Sequence, residues 1–219
     1  RKAIALFTTL TLAGVAGPQA IAASLTLSHQ PGTTQITGGL TGYATHGAMM
    51  DGMRVTAYLY DTASSSETTE VLTWADLGAS SGGVIGSGWS LTQGGDTFSS
   101  NWTLSQNAGA TSSITKIVID AGSGDSVFDM TTGSGDTPGS ASGTTFALTS
   151  ANLWNLSVIY SDAVALMGAS PAGDLYRTLT IDFGDASLLG SGQSLMFRAD
   201  TDNLKYQGVF GREVFAYSG

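Results

Sequence analysis

Hydrophobic residues recur at every second position along much of this chain. Met53, Val55, Ala57 and Leu59 alternate with Arg54, Thr56, Tyr58 and Tyr60. A period of two places one set of side chains on a buried face and the other in water, which predicts a β-strand. Leu179, Ile181 and Phe183 repeat the pattern against Thr178, Thr180 and Asp182, and Leu195, Phe197 and Ala199 repeat it again. Residues 114–119 and 156–160 are short, β-branched apolar runs of strand length.

Gly/Ser/Thr/Asp clusters separate these runs at 79–83, 122–125, 133–143 and 190–192, and such clusters make turns and loops. No helical periodicity is long enough to supply the crossovers of a parallel sheet. The expected fold is therefore all-β: antiparallel sheets in a β-sandwich or jelly-roll-like arrangement, forming one domain over residues 23–219. Residues 131–145 are expected to form the longest loop, and 151–156 could make a helical turn. Trp89 and Trp102 flank a strand-turn-strand segment and are expected in the core.

Residues 1–22 break this style. Arg1 and Lys2 precede an apolar run over 3–15, and small residues close the segment at Ala20-Ile21-Ala22. That order is the one of a secretory signal peptide cleaved after Ala22. The run is too short and too interrupted to span a membrane of about 20 residues' thickness. Cleavage removes two of the 8 basic residues, so the formal charge moves from −9 to 6 − 17 = −11.

Composition narrows the function. Charged residues make up 11% of the chain, against roughly 25% on average, so Ser, Thr and Gly cover the surface instead. The acidic balance repels nucleic acid and anionic lipid. Cysteine is absent, which excludes disulfides, thiolate metal sites and thiol nucleophiles together. An exported β-protein without disulfides reads as bacterial.

Several strings could carry chemistry. Gly78-Ala79-Ser80-Ser81-Gly82 matches the G-x-S-x-G of a nucleophile elbow, but that elbow needs a following helix, and Gly83, Gly86 and Gly88 forbid one. The only histidines are His29 and His46, and neither lies in a zinc-type ligand set. Two acidic groups stand out: Asp120, Asp125 and Asp129, and the loop expected at Asp200, Asp202 and Asn203. Calcium takes six to eight oxygen ligands, and Asp200, Asp202 and Asn203 could offer several, with Asx-turns as the plainer use of the same residues. Trp74 and Tyr58 are the aromatic residues considered for stacking on a sugar, in the manner of β-sandwich carbohydrate-binding modules. A glycosidase needs a carboxylate pair across a cleft, and Glu occurs only at 67, 70 and 213.

Residues 45–55, Trp74, 81–91, 95–104, 127–129, 137–143, 173–176 and 199–203 together resemble, in style, secreted bacterial proteins of the PEP-CTERM (exosortase-sorted) type. The resemblance implies a Gly/Ser/Thr-rich, cysteine-poor β-protein associated with the cell surface or extracellular polymer, and it brings no catalytic residues with it. Such proteins end in a Pro-Glu-Pro-like motif, an apolar span and a basic tail. Here residues 214–219 show none of these. Either a tail follows Gly219 or sorting of that kind does not apply. The expected function is that of an exported, non-enzymatic surface or extracellular-matrix protein, with extracellular polysaccharide or other surface proteins as partners. A carbohydrate-binding module is the alternative, and an Asp-based secreted hydrolase a remoter one.

Overall fold

A computed structural model describes residues 35–36, 45–130, 143–150, 155–166, 173–184 and 188–203. The signal-like segment 1–22, His29, Trp154 and most of the long loop expected at 131–145 lie outside the described residues, as do residues 151–154 of the expected helical turn.

The strands in chain order are β1 (Gln35–Ile36), β2 (Arg54–Asp61), β3 (Ser66–Thr73), β4 (Ala75–Gly78), β5 (Ser81–Ile85), β6 (Trp89–Gly94), β7 (Trp102–Gln106) and β8 (Ser112–Asp120). They continue with β9 (Ser126–Asp129), β10 (Ala147–Leu148), β11 (Ser157–Ala163), β12 (Ala165–Leu166), β13 (Leu175–Asp182), β14 (Ser194–Arg198) and β15 (Asp200–Asn203). Two 3₁₀ turns, Gly47–Met50 and Ala121–Gly124, are the helical elements among the described residues. The all-β expectation holds.

One sheet has the order β10-β14-β7-β6-β5-β4, and within it β4 to β7 form a meander of successive hairpins. The other has the order β15-β9-β13-β8-β2-β3, with β11 also paired to β13. Every pairing in both sheets is antiparallel, and the short β1–β12 pair is parallel. Because β11 takes one edge of β13, strands β8 and β9 share the other edge in line, with the turn Ala121–Gly124 bulging out between them. Asp120 caps that turn by accepting the Ser123 N–H, and Asp125 closes it at φ 50°. These acids therefore serve the turn, as Asx residues do at strand ends.

The alternating positions read from the sequence form the core. Val55, Ala57, Leu179, Ile181, Leu195 and Phe197 are all buried between the sheets in one hydrophobic cluster. Fully burying each large side chain is worth about 1.5–3 kcal/mol. Trp102 sits at the centre, 5.9 Å from Phe197 in a stacked arrangement, and 6.2 Å from Phe128 of the opposite sheet. Its indole N–H donates to the Ala199 carbonyl at 2.8 Å, so the one polar atom is satisfied.

The Gly47–Met50 turn closes one end of the sandwich at van der Waals limits. Trp74 donates its indole N–H to the Gly47 carbonyl at 2.8 Å. A Cβ on Gly82 would stand 2.2 Å from that carbonyl oxygen, and one on Gly47 would stand 2.0 Å from the Gln93 oxygen. Only glycine permits this approach of backbone to backbone. Gly82 of the Gly78–Gly82 string is thus a packing residue in a β4–β5 hairpin, and no helix follows it.

Candidate functional site

The most unusual chemistry in the fold is a group of buried aspartates around β15. Residues 200–203 are not a loop, as the sequence suggested, but an edge strand paired along its length with β9. The reason is that β9 offers a free edge beyond the 3₁₀ turn, and Thr201 and Asn203 supply buried anchors on it. All four residues of β15 are buried.

Period two then divides the three candidate ligands. Asn203 turns toward the Gly47–Met50 turn, where its amide donates to the Met49 carbonyl and to Ser126 Oγ at 3.0 Å. Its backbone N–H donates to Thr45 Oγ1 at 2.9 Å. Asp200 and Asp202 alternate with it on the strand, so they face the other way. Asn203 therefore locks the strand to the turn, while Asp200 and Asp202 share a face without it.

What they meet there was not visible in the sequence as a set. Asp129 of β9 stands directly opposite Asp200 in the register and is buried. Gly143 packs so tightly on it that a Cβ would come within 2.2 Å of Asp129 Oδ1. Thr97 presents its hydroxyl to Asp200 Oδ1 at 2.8 Å and accepts the Thr201 N–H at 3.3 Å. Thr144 accepts the Asp200 N–H at 2.9 Å. Asp202 Oδ2 is buried and has no hydrogen-bond partner among the described residues.

The electrostatics follow from burial. Loss of water pushes the Asp200 carboxyl up to about 7; the Thr97 hydrogen bond opposes the shift and the charge of Asp129 adds to it. Asp202 is raised well above the usual carboxylate range, first by burial and then by Asp200, Asp129 and Asp96. Tyr160 is pushed up to about 12 by burial, with its oxygen accepting the Phe146 N–H at 2.9 Å. Both shifts favour the protonated carboxyl, the form that a bound cation would displace. The donors are oxygen throughout, which suits a hard cation such as calcium. Among the described residues, no three His, Cys, Asp or Glu side chains converge at metal-holding distances.

The aromatic pair considered for sugar stacking is separated. Trp74 has no exposed surface; it lies in the core, 5.2 Å from Trp102. It is not a platform, because the close approach of Gly47 and Gly82 seals it in. Tyr58 lies on the outward face of β2, with Lys116 Nζ 4.0 Å over its ring. Trp89 and Trp102 are fully buried, as their flanking positions suggested. His46 forms an isolated bridge to Asp96, and its Nδ1 is buried with no hydrogen-bond partner among the described residues.

The class this fold defines is the two-sheet antiparallel β-sandwich. No protein-family model matches the chain, and no curated protein or solved structure matches it significantly. Among the described residues, no helix is long and apolar enough to cross a membrane.

Proposed function

We propose that this chain is an exported, non-enzymatic protein of the bacterial surface or extracellular matrix, of the PEP-CTERM type. The observation that carries the reading is the order of the sequence: a basic, apolar, Ala-x-Ala segment over 1–22, followed by a cysteine-free sandwich. The sandwich surface agrees with that setting. On the outward face of one sheet, Ser90, Ser105 and Ser194 stand side by side across three strands, and Thr92 pairs with Thr103. Such a face is hydrated through hydroxyls and not through charge. Fractionation of producing cells, with mass spectrometry of the mature N-terminus, tests the reading. A mature protein beginning near Ala23 outside the cytoplasm is expected. An uncleaved chain retained inside would overturn it.

A calcium ion is the cofactor this reading admits, and Asp202 Oδ2 is the observation that favours it. A buried carboxylate oxygen without a donor is stabilised either by a proton or by a cation. The residues that would contribute to the ion's site are Asp200 and Asp202, which share a face of β15, and not Asn203, which faces the Gly47–Met50 turn. Its role would be to hold β15 against β9.

A further inference from the structure

A cleft of 670 Å³ opens on the outward face of the seven-stranded sheet, lined by Tyr60, Glu67, Thr115, Lys116, Asp182 and Leu188, among others. That volume falls within the range of about 300–1,000 Å³ of small-molecule sites.

A β-bulge builds its floor. The β2–β8 register slips between Tyr58 and Leu59: Tyr58 pairs with Lys116, whereas Leu59 pairs with Ile114. Thr115 is the extra residue. Ile114 and Ile117 are buried while Thr115 and Lys116 are only partly covered, so two consecutive side chains leave the core together. Bulges commonly re-aim side chains in this way beside binding sites.

Each carboxylate of the cleft is pinned by one oxygen. Glu67 Oε2 accepts the Thr115 hydroxyl at 3.0 Å, and Asp182 Oδ1 accepts the Gly184 N–H at 2.8 Å. The second oxygen of each accepts no hydrogen bond among the described residues and remains available to a donor. Lys116 is the register neighbour of Asp182, yet its ammonium lies over Tyr58. It brings three N–H donors to the same place. Tyr60 supplies an aromatic wall.

We infer that this cleft binds an uncharged saccharide unit of an extracellular polymer, with Glu67 and Asp182 accepting its hydroxyls, Lys116 donating to its oxygens and Tyr60 covering an apolar ring face. Other occupants fit less well. Two carboxylates against one ammonium disfavour an anion. Two carboxylates beside an ammonium are a poor cation site. The lining side chains project from one face of the sheet, which offers an extended peptide no backbone ladder. The inference extends the proposed matrix role by naming what the domain would hold, and it rests on that role only for the polymer being extracellular.

Affinity electrophoresis of the purified protein in gels containing dextran, mannan, a soluble β-glucan or the anionic polymer alginate tests it. Retardation by at least one neutral polymer and none by alginate is expected. Tyr60→Ala and the double variant Glu67→Gln/Asp182→Asn should each weaken retardation about tenfold or more, since hydrogen bonds to charged groups are the strong ones. Their melting temperatures, measured alongside, separate lost binding from lost folding. No retardation by any neutral polymer, retardation by alginate alone, or undiminished binding in folded variants would each overturn the site. None of these results bears on export, which the mature N-terminus tests by itself.

Discussion

Asp200 and Asp129 stand directly opposite one another on the paired strands β15 and β9, and both are buried. Like charges in that position destabilise a sheet. Burial and the neighbouring Asp129 charge raise the Asp200 carboxyl, so a proton there relieves the repulsion and ties the strand's stability to pH.

The folded-state value of Asp200 lies at about 7, above the ordinary 3.8, and Asp202 is raised as well. The folded state therefore holds protons that the unfolded chain releases. Stability is fully present below about pH 4 and is withdrawn as the pH climbs to about 7, with Asp202 extending the loss upward. Each group costs about 1.4 kcal/mol per pH unit within its window. Melting temperatures in chelator should fall between pH 4 and pH 7, and Asp200→Asn should flatten the fall. A melting temperature that rises through this interval would contradict the assignment.

Calcium should act against that loss. An ion that binds only the folded state adds RT ln(1 + [L]/Kd), about 2.7 kcal/mol at a hundredfold excess over Kd. At pH 7.5, millimolar calcium should raise the melting temperature relative to chelator. Asp202→Asn should remove the response. Asn203→Ala should lower stability by about 1–3 kcal/mol, because it strips donors from buried acceptors, yet keep the response. Loss of the calcium effect in Asn203→Ala alone would return the site to the asparagine.

Gly82 and Ser80 offer opposite outcomes within one five-residue string. Gly82→Ala forces a Cβ against the Gly47 carbonyl and the Trp74 indole and should destabilise by about 1–3 kcal/mol or more. Ser80→Ala lies in the exposed β4–β5 turn and should stay within about 0.5 kcal/mol. Denaturant unfolding of both variants checks the contrast. A stability loss in Ser80→Ala would show a buried role that the hairpin does not give it.

The strands were legible because burial on one face forces a period of two, and Val55, Ala57, Leu179 and Ile181 obey it. The aspartate group was legible only in pieces. Asp129 appeared with Asp120 and Asp125 as one acidic run, but the turn Ala121–Gly124 sends it onto β9, opposite a residue 71 positions later. Local pattern carries no information about that pairing. Trp74 was misplaced for a similar reason: the carbonyl that satisfies its indole belongs to Gly47, far back in the chain. The cleft did leave a trace, since the spacing from Ile114 to Ile117 to Ile119 breaks the alternation where Thr115 bulges. One irregularity of that kind does not say which side chains it will gather.

Trp102 joins these levels, and its substitution is the sharpest test of the core. Its ring is fully buried, stacks on Phe197 and reaches Phe128 across the sandwich. Its N–H donates to Ala199, the residue between β14 and β15. Trp102→Phe keeps most of the apolar area but leaves the Ala199 carbonyl without its donor, at a cost of about 1–3 kcal/mol. Trp102→Ala adds a cavity and should cost about 3–5 kcal/mol. The hydrogen bond also fixes the corner that delivers Asp200 to β9, so Trp102→Phe should weaken the calcium response of the folded protein as well as its stability. Urea unfolding gives the first quantity, and the shift of melting temperature with calcium gives the second. Equal stability of the phenylalanine variant and the parent would mean that the Ala199 carbonyl finds another donor, and that the corner does not depend on the indole.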